Sequence, residues 1–488
     1  MKKFSLVAIL SLSLSYAWSQ DHSTLASTGN SQVKSLPVLK SDTSAKKDTV
    51  AVKKEPFAFG DFTWLNGNDR RHSDLLDSKY FTGRVLLDIN YDASNNNPID
   101  HTVVGSTALA RDHEFEISTA AFGGDFHYDN IRATILTQFG TRATVVPRND
   151  LSVLRGQYDL TTAYRYLSEA NAGYHFDVLN GINVDAGIFM SYIGLFSYYN
   201  AENWAYQPSF TSDNTPWFFT GLRIQIFVSD KLKIEPWLIN GWQSYGMFNS
   251  QPGIGGQILW RPYEWLEALT NTYYGADTQD DPGRKRFHSD NSVEVRYYKS
   301  KDKNAFINSM AFSVTGDIGF EKGDGVNGFT ASPIYGPAQY FASGMAYNRV
   351  VFDKGHLGWT FGGGVINNPG RYLVLAPTGA ASPIPAVNNI TTPTTGIGSD
   401  PFPEGPGLQF HGYDYSTTFD IMPNDYLTFR LEVVHRHASV PYFAGPGGVT
   451  SPDGYSDTPY GPGTAYPNWK PDLVNSETRF IAALLVRF

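Results

Sequence analysis

The chain of 488 residues has no cysteine. That absence excludes a disulfide framework, a thiolate metal site and a cysteine nucleophile. Long apolar runs are missing as well. Past the first residues nothing approaches the roughly 20 consecutive apolar residues that a membrane-crossing helix needs. No His-Glu-x-x-His, Gly-x-Ser-x-Gly or P-loop motif occurs, so the common hydrolase and nucleotide signatures are absent. There is no excess of positive charge: the net charge is −9, which argues against a nucleic-acid surface. No internal repeat is evident, which argues against a propeller.

What is present sits at the two ends and in the rhythm between them. Lys2 and Lys3 precede a short apolar core, Phe4 to Leu14, and a small-x-small site, Ala17-Trp18-Ser19. This pattern predicts a cleaved secretory signal over 1–19, too short to span a bilayer. At the other end Phe480, Ala482, Leu484, Val486 and Phe488 alternate with positions that include Arg479 and Arg487. That is a period-two strand with one greasy face. Its aromatic terminus resembles the insertion signal of bacterial outer-membrane barrels, carried here by Phe480, Leu484, Val486 and Phe488. An exported membrane protein without helices must be a closed barrel, because lipid offers the backbone no hydrogen-bond partner. Aromatics at 15% fit the interfacial girdles of such a barrel.

The expected fold is therefore all-β, a transmembrane antiparallel up-and-down β-barrel over 80–488. Residues 20–55, rich in Ser, Thr, Lys and Asp, read as a flexible periplasmic leader. The aromatic lead-in 56–79 either folds into the lumen or starts an extra strand. The predicted strands are 80–92, 112–128, 131–143, 167–178, 182–194, 214–228, 231–243, 251–261, 264–276, 284–299, 304–320, 336–352, 356–368, 408–421, 426–439 and a sixteenth ending at Phe488. Fourteen to eighteen strands are compatible with the pattern. Connections alternate between short and mostly long ones, as periplasmic turns and outer loops do. The last strand should pair with both the fifteenth and the first.

Parity assigns charged side chains to the water side. The proposed pore-lining set is Arg84, Asp88, Arg132, Arg142, Glu169, His175, Arg223, Lys233, Glu235, Glu294, Arg296, Arg430, Glu432, Arg436, Glu477 and Arg479. On the lipid side each Arg or Lys would cost about 2–4 kcal/mol near the midplane. A barrel this wide encloses an aqueous channel unless loops plug it. Rival sites are weak. His435 and His437 share a strand face without a third ligand, and Asp277, Asp280 and Asp281 read as a solvated acidic turn rather than a calcium loop. No cofactor or metal is called for, and an enzyme is not expected.

Three stretches resemble a known family. They are Ser191-Tyr192-Ile193-Gly194 with Thr215-Pro216-Trp217-Phe218-Phe219-Thr220-Gly221; Ile239-Asn240-Gly241-Trp242-Gln243; and Met422-Pro423-Asn424-Asp425-Tyr426-Leu427-Thr428-Phe429-Arg430-Leu431-Glu432 with His435-Arg436-His437-Ala438 and Pro441-Tyr442-Phe443-Ala444-Gly445-Pro446-Gly447-Gly448. Together they resemble the OmpL-like β-barrel porins, beta-barrel porin 2, over roughly 56–488. The resemblance implies an outer-membrane porin for passive diffusion of small hydrophilic solutes. It transfers no binding site. The partners it implies are outer-membrane lipid, the barrel-assembly machinery and the solutes, with a homotrimer expected by analogy only. Two alternatives remain: a binding or structural barrel plugged by loops 369–407 and 440–472, and a barrel hydrolase.

Overall fold

The structure, a computed structural model, describes residues 55–147, 150, 152, 155–278, 281–302, 304–323, 326–330, 338, 340–369, 410–455 and 471–488. The expected signal 1–19 and nearly all of the leader lie outside them. Sixteen long strands follow one another. They are β1 Phe81–Ser94, β2 Phe115–Tyr128, β3 Ile131–Thr137, β4 Leu167–Phe176, β5 Ile182–Met190, β6 Phe218–Ser229, β7 Leu232–Ile239 and β8 Gly253–Tyr263. Then come β9 Leu266–Gly275, β10 Lys285–Lys299, β11 Ile307–Gly323, β12 Tyr340–Phe352, β13 Leu357–Asn368, β14 Phe410–Asn424, β15 Leu427–Ala438 and β16 Ser476–Arg487. A two-residue strand, Val326–Asn327, extends the sheet beside the end of β11.

Every neighbouring pair is antiparallel, and β16 pairs with β15 and with β1. The closing register runs from Leu86 opposite Arg487 to Ser94 opposite Arg479. Closure leaves no free edge, which a sheet in lipid requires. The β1 start, the β16 end and the short turns lie at one rim; the long connections lie at the other.

Alternation sorts each strand by solvent. On β1, Arg84, Leu86, Asp88, Asn90 and Asp92 are buried inward, and Val85, Leu87, Ile89 and Tyr91 face out. On β16, Phe480 is exposed outward, and Ile481, Ala483 and Leu485 are buried inward. Outward aromatics gather in two bands. Tyr91–Phe115 and Phe287–Phe320 mark the long-loop rim, with ring centroids 5.1 and 5.3 Å apart. Phe81–Phe126, Tyr263–Trp265 and Tyr426–Phe488 mark the short-turn rim. These are the interfacial girdles of a membrane barrel.

Several strands are shorter than their apolar pattern predicts. The third ends at Thr137 instead of 143. Gly140 takes φ +112°, where a side chain would sit 2.5 Å from the Ile117 carbonyl oxygen. The chain then turns inward as helix α1, Arg142–Val145. Arg142 therefore reaches the interior from a helix and not from the wall. The fifth strand stops at Met190, so 191–194 leave the wall as well. The sixth begins at Phe218 and the seventh ends at Ile239. In each case the pattern continued because the segment stays buried, inside the barrel instead of in its wall. The 144–166 connection holds part of α1 and helix α2, Leu160–Tyr164.

Val433, in the middle of β15, is 44% exposed on the outer face. Replacing it by Arg should destabilise the folded barrel by about 2–4 kcal/mol. Reversible denaturant unfolding in lipid vesicles checks this; an unchanged midpoint would mean that the face does not meet lipid.

Candidate functional site, the barrel lumen

All sixteen parity-selected residues point into the barrel, and all except Arg132 and His175 are buried. What buries them is protein. The connection between β5 and β6, residues 191–217, folds back through the lumen. It carries a 3-10 turn, Asn200–Glu202, and helix α3, Phe210–Asp213. Its Leu195, Phe196, Tyr198, Tyr199 and Trp204 belong to the largest apolar cluster of the molecule.

Wall charges hold this segment by its backbone. Glu432 accepts the amides of Tyr206 at 2.6 Å and Gln207 at 2.9 Å, and the hydroxyl of Thr418 at 2.7 Å. Asp414 accepts the Ser209 hydroxyl at 2.8 Å and the Phe210 amide at 2.9 Å. Arg430 donates to the carbonyls of Asn200 at 3.0 Å and Asn203 at 2.6 Å while Asp420 holds its Nε at 2.7 Å. Asp88 accepts the Tyr206 hydroxyl and the Asn200 side-chain amide, both at 2.8 Å. Arg436 pairs with Asp213 at 2.9 Å, and Arg487 pairs with Glu202. Arg142 donates to the Asn200 side chain at 2.8 Å and lies over the Tyr198 ring. A buried irregular segment needs such partners, since it has no ladder to satisfy its backbone.

Other wall charges pair along the wall itself. Arg84 meets Glu169 at 3.0 Å, Arg223 meets Asp185 at 2.9 Å, and Lys233 meets Glu235 at 2.7 Å. Arg132 also reaches Asp185, at 3.1 Å. Glu477 meets Arg479 at 2.7 Å, and Arg479 also pairs with Asp92. His175 lies 2.7 Å from the Asn183 side-chain oxygen.

The aromatic lead-in enters the lumen from the short-turn rim. Trp64 donates its indole N–H to the Glu264 carbonyl at 3.0 Å, and the Asn66 amide donates to Glu294 at 3.0 Å. Asp69 pairs with Arg71 at 2.6 Å and Arg487 at 3.2 Å. The two inserted segments also touch: Trp204 donates its amide to the Asn66 side chain at 2.7 Å and its indole N–H to the Trp64 carbonyl at 3.2 Å. The β1–β2 connection adds a third layer. Thr107 donates to Asp213, and Val103, Ala108 and Leu109 pack on Tyr206 and Ile481.

The lumen is thus filled by 191–217, by the lead-in and by the β1–β2 connection. Of the two loops expected to plug it, 369–407 and 440–472, only Pro369 of the first and part of the second are described. Residues 370–409 and 456–470 lie outside the described residues; Tyr442 and Phe443 pack on Phe210 and Phe410. At the short-turn rim a cavity of about 780 Å³ remains, lined by Trp64, Arg70, Glu202, Arg296, Arg349 and Arg430 among others. Its rim holds Asp61, 3.3 Å from Arg296 and 3.6 Å from Lys299. Burial raises the Asp61 pKa, but the Thr63 hydroxyl and amide, Arg296 and Lys299 together hold it below 3.8. Glu264 is likewise held below 4.5, chiefly by its hydrogen bond to Lys299.

The weaker candidates have other partners, and Asp277 is buried beside Arg286 at 3.7 Å instead of lying in a solvated turn. His435 and His437 lie outward against Tyr415 and Tyr413 and meet the Thr478 and Ser476 hydroxyls. Asp277 accepts from the Trp242 amide and the Tyr273 hydroxyl, and Asp281 accepts the amides of Gly283 and Arg284. Asp280 lies outside the described residues. Among the described residues no three His, Asp or Glu side chains converge as metal ligands. Residues missed by sequence reasoning include Asp414 and Asp420, which the parity of β14 would have found, and the whole inserted segment. Its signal was composition: a water-exposed loop would not carry Phe196, Tyr198, Tyr199, Trp204 and Tyr206.

Closed sheet, girdles and charged interior define an outer-membrane β-barrel. Residues 80–348 match the family described as Putative beta-barrel porin-2, OmpL-like, and the chain belongs to that family. The match contains the stretches 191–221 and 239–243 and ends before 422–448. No curated protein matches the chain. Among solved structures, the trimer form of OmpT, an outer membrane protein of Vibrio cholerae, is similar at 8% identity, covering 84% of this chain and 100% of that chain with a TM-score of 0.44. The anion-selective porin from Comamonas acidovorans is similar at 9% identity, covering 84% of this chain and 99% of that chain, also with a TM-score of 0.44.

Two predictions follow from the anchors. Glu432→Ala strands two buried amides and a hydroxyl, at about 1–3 kcal/mol each, so hydrogen exchange at Tyr206 and Gln207 should accelerate. Unchanged protection would show that the glutamate does not hold the segment. The ion pairs of Asp61 with Arg296 and Lys299 stabilise lead-in docking above the aspartate's ordinary pKa of 3.8 and lose that effect as pH falls through its depressed value. Proteolysis between residues 56 and 74 should therefore rise below about pH 4 and stay low at neutral pH.

Proposed function

We propose that the protein is an outer-membrane porin that passes small hydrophilic solutes by passive diffusion through a lumen narrowed by its own inserted segments. The observation that carries this reading is the inner wall. Charges of both signs are buried on the inward face of most strands of a sixteen-strand barrel, a width that side chains of the wall alone do not fill. An interior held by hydrogen bonds and ion pairs, with a polar cavity open at one rim, suits water and polar solutes better than apolar ones. Family membership supports the same reading. The barrel is non-catalytic in this account. It reaches the outer membrane through a cleaved signal over 1–19, is inserted by the assembly machinery that recognises Phe488 and its alternating partners, and assembles as a homotrimer.

One observation favours the second reading, a plugged barrel that serves as a surface or structural protein. Glu432, Asp414 and Arg430 bind the 191–217 backbone and not solvent. The two readings part in a reconstituted system. Purified protein in planar bilayers should give stable unitary currents, and in liposome swelling it should admit small sugars faster than large ones. Persistent absence of both would overturn the porin reading in favour of the plugged one.

A further inference from the structure

The outer face of the barrel is not uniform. On β15 the outward positions at mid-height are Leu431 and Val433, both exposed and apolar. On β9 and β10 they are polar. Thr270 and Thr272 of β9 and Ser289 and Asn291 of β10 alternate with the buried inward Asn271 and Asp290, and therefore point away from the lumen. Asn291 stands four residues from Phe287 at the long-loop girdle and six from Tyr297 toward the other end of β10. That places it within the apolar band, about 25 Å tall, that meets lipid. It lies opposite Thr270 in the register, accepts from the Thr270 hydroxyl and donates to the Ser289 hydroxyl at 3.0 Å. Lipid has nothing to offer such groups, whereas a second protein surface does.

Further round the barrel the same level is hollow. The row that holds Thr270 and Asn291 continues in register through Gly316 of β11 and Gly344 of β12. Ala342 and Ala346 flank Gly344 along the outward side of β12, and Gly363 of β13 stands opposite Ala346. Val314 and Ile318 on one side, and Phe361 and Val365 on the other, are exposed and stand higher. β12 thus forms the floor of a shallow groove. A Cβ built on Gly316 would meet nothing within 4 Å, so no contact inside the barrel calls for a glycine there. Small residues on a membrane-facing surface let a second backbone come close.

The placing of the two surfaces says what covers them. The polar ridge centres between β9 and β10, and the groove centres on β12, two and a half strands away. Strands of a sixteen-strand barrel are spaced about 22° around its axis, so ridge and groove look out in directions roughly 56° apart. A closed ring of three copies needs about 60° between the two contact directions of each copy, a ring of four needs about 90°, and a two-fold dimer uses one self-complementary face. Ridge and groove are different surfaces, so a contact between them is heterologous, and this angle closes it at three.

Resting on the homotrimer of the porin reading, we propose that the β9–β10 ridge of one copy seats in the β12 groove of the next, and that these two surfaces form the interface between copies. The test is the mass of the full refolded protein in mild detergent, measured by light scattering. The unaltered protein should have the mass of three copies. Gly316→Phe and Gly344→Phe fill the groove and should shift most of the protein to single copies, whereas Leu431→Phe on β15 should leave three. Heat-modifiable gel mobility verifies that each barrel is folded. Asn291→Leu leaves the groove open and suits lipid; it should also raise the share of single copies, and it decides the matter if the phenylalanine variants do not fold. Folded variants that keep the mass of three copies overturn this inference alone. An unaltered protein that runs as single copies overturns the homotrimer as well, and leaves the channel to be judged by its currents.

Discussion

Lipid offers no hydrogen bond, and the rest of the structure depends on that fact. Each N–H and C=O of a spanning strand must find a partner in the sheet, so the last strand has to return to the first. The β16–β1 ladder, Leu86 opposite Arg487 through Ser94 opposite Arg479, is the seam that makes this possible. Once the sheet is closed, period-two alternation gives every strand one lipid face and one interior face. Arg84, Asp88, Arg430 and Glu432 then have one place to go.

The same accounting repeats inside. A charged wall cannot be covered by apolar segments without leaving ions unpaired. The segment that fills the lumen therefore presents backbone amides to Glu432 and Asp414 and backbone carbonyls to Arg430. Wall and insert satisfy each other: the wall supplies the partners that an irregular buried backbone lacks, and the insert supplies donors and acceptors that water would otherwise provide. The lead-in repeats this logic from the opposite end, with Asn66 on Glu294 and Asp69 on Arg487.

The wall was legible in the sequence because parity is a local signal. Strand after strand alternates, Asn180-Gly181 and Asp129-Asn130 mark turns, and charge tells inside from outside. The partners of Phe488's strand could be named from closure alone. The filling was not legible, because it is set by contacts far apart in the chain: Tyr206 on Glu432, Asn66 on Glu294. Parity overshot where chain stays buried after leaving the wall, as at Arg142 and at 191–194. The aromatic residues between Leu195 and Tyr206 carried a signal of burial, but period and propensity do not say what buries them.

The central claim is that the inserted 191–217 segment sets the bore. Unitary conductance tests it most directly, comparing intact protein with a variant in which 197–212 is replaced by a short glycine-serine bridge. The account predicts currents severalfold larger in the shortened barrel, with the strand content unchanged. Equal currents from the two folded proteins would contradict it, because the bore would then be set elsewhere.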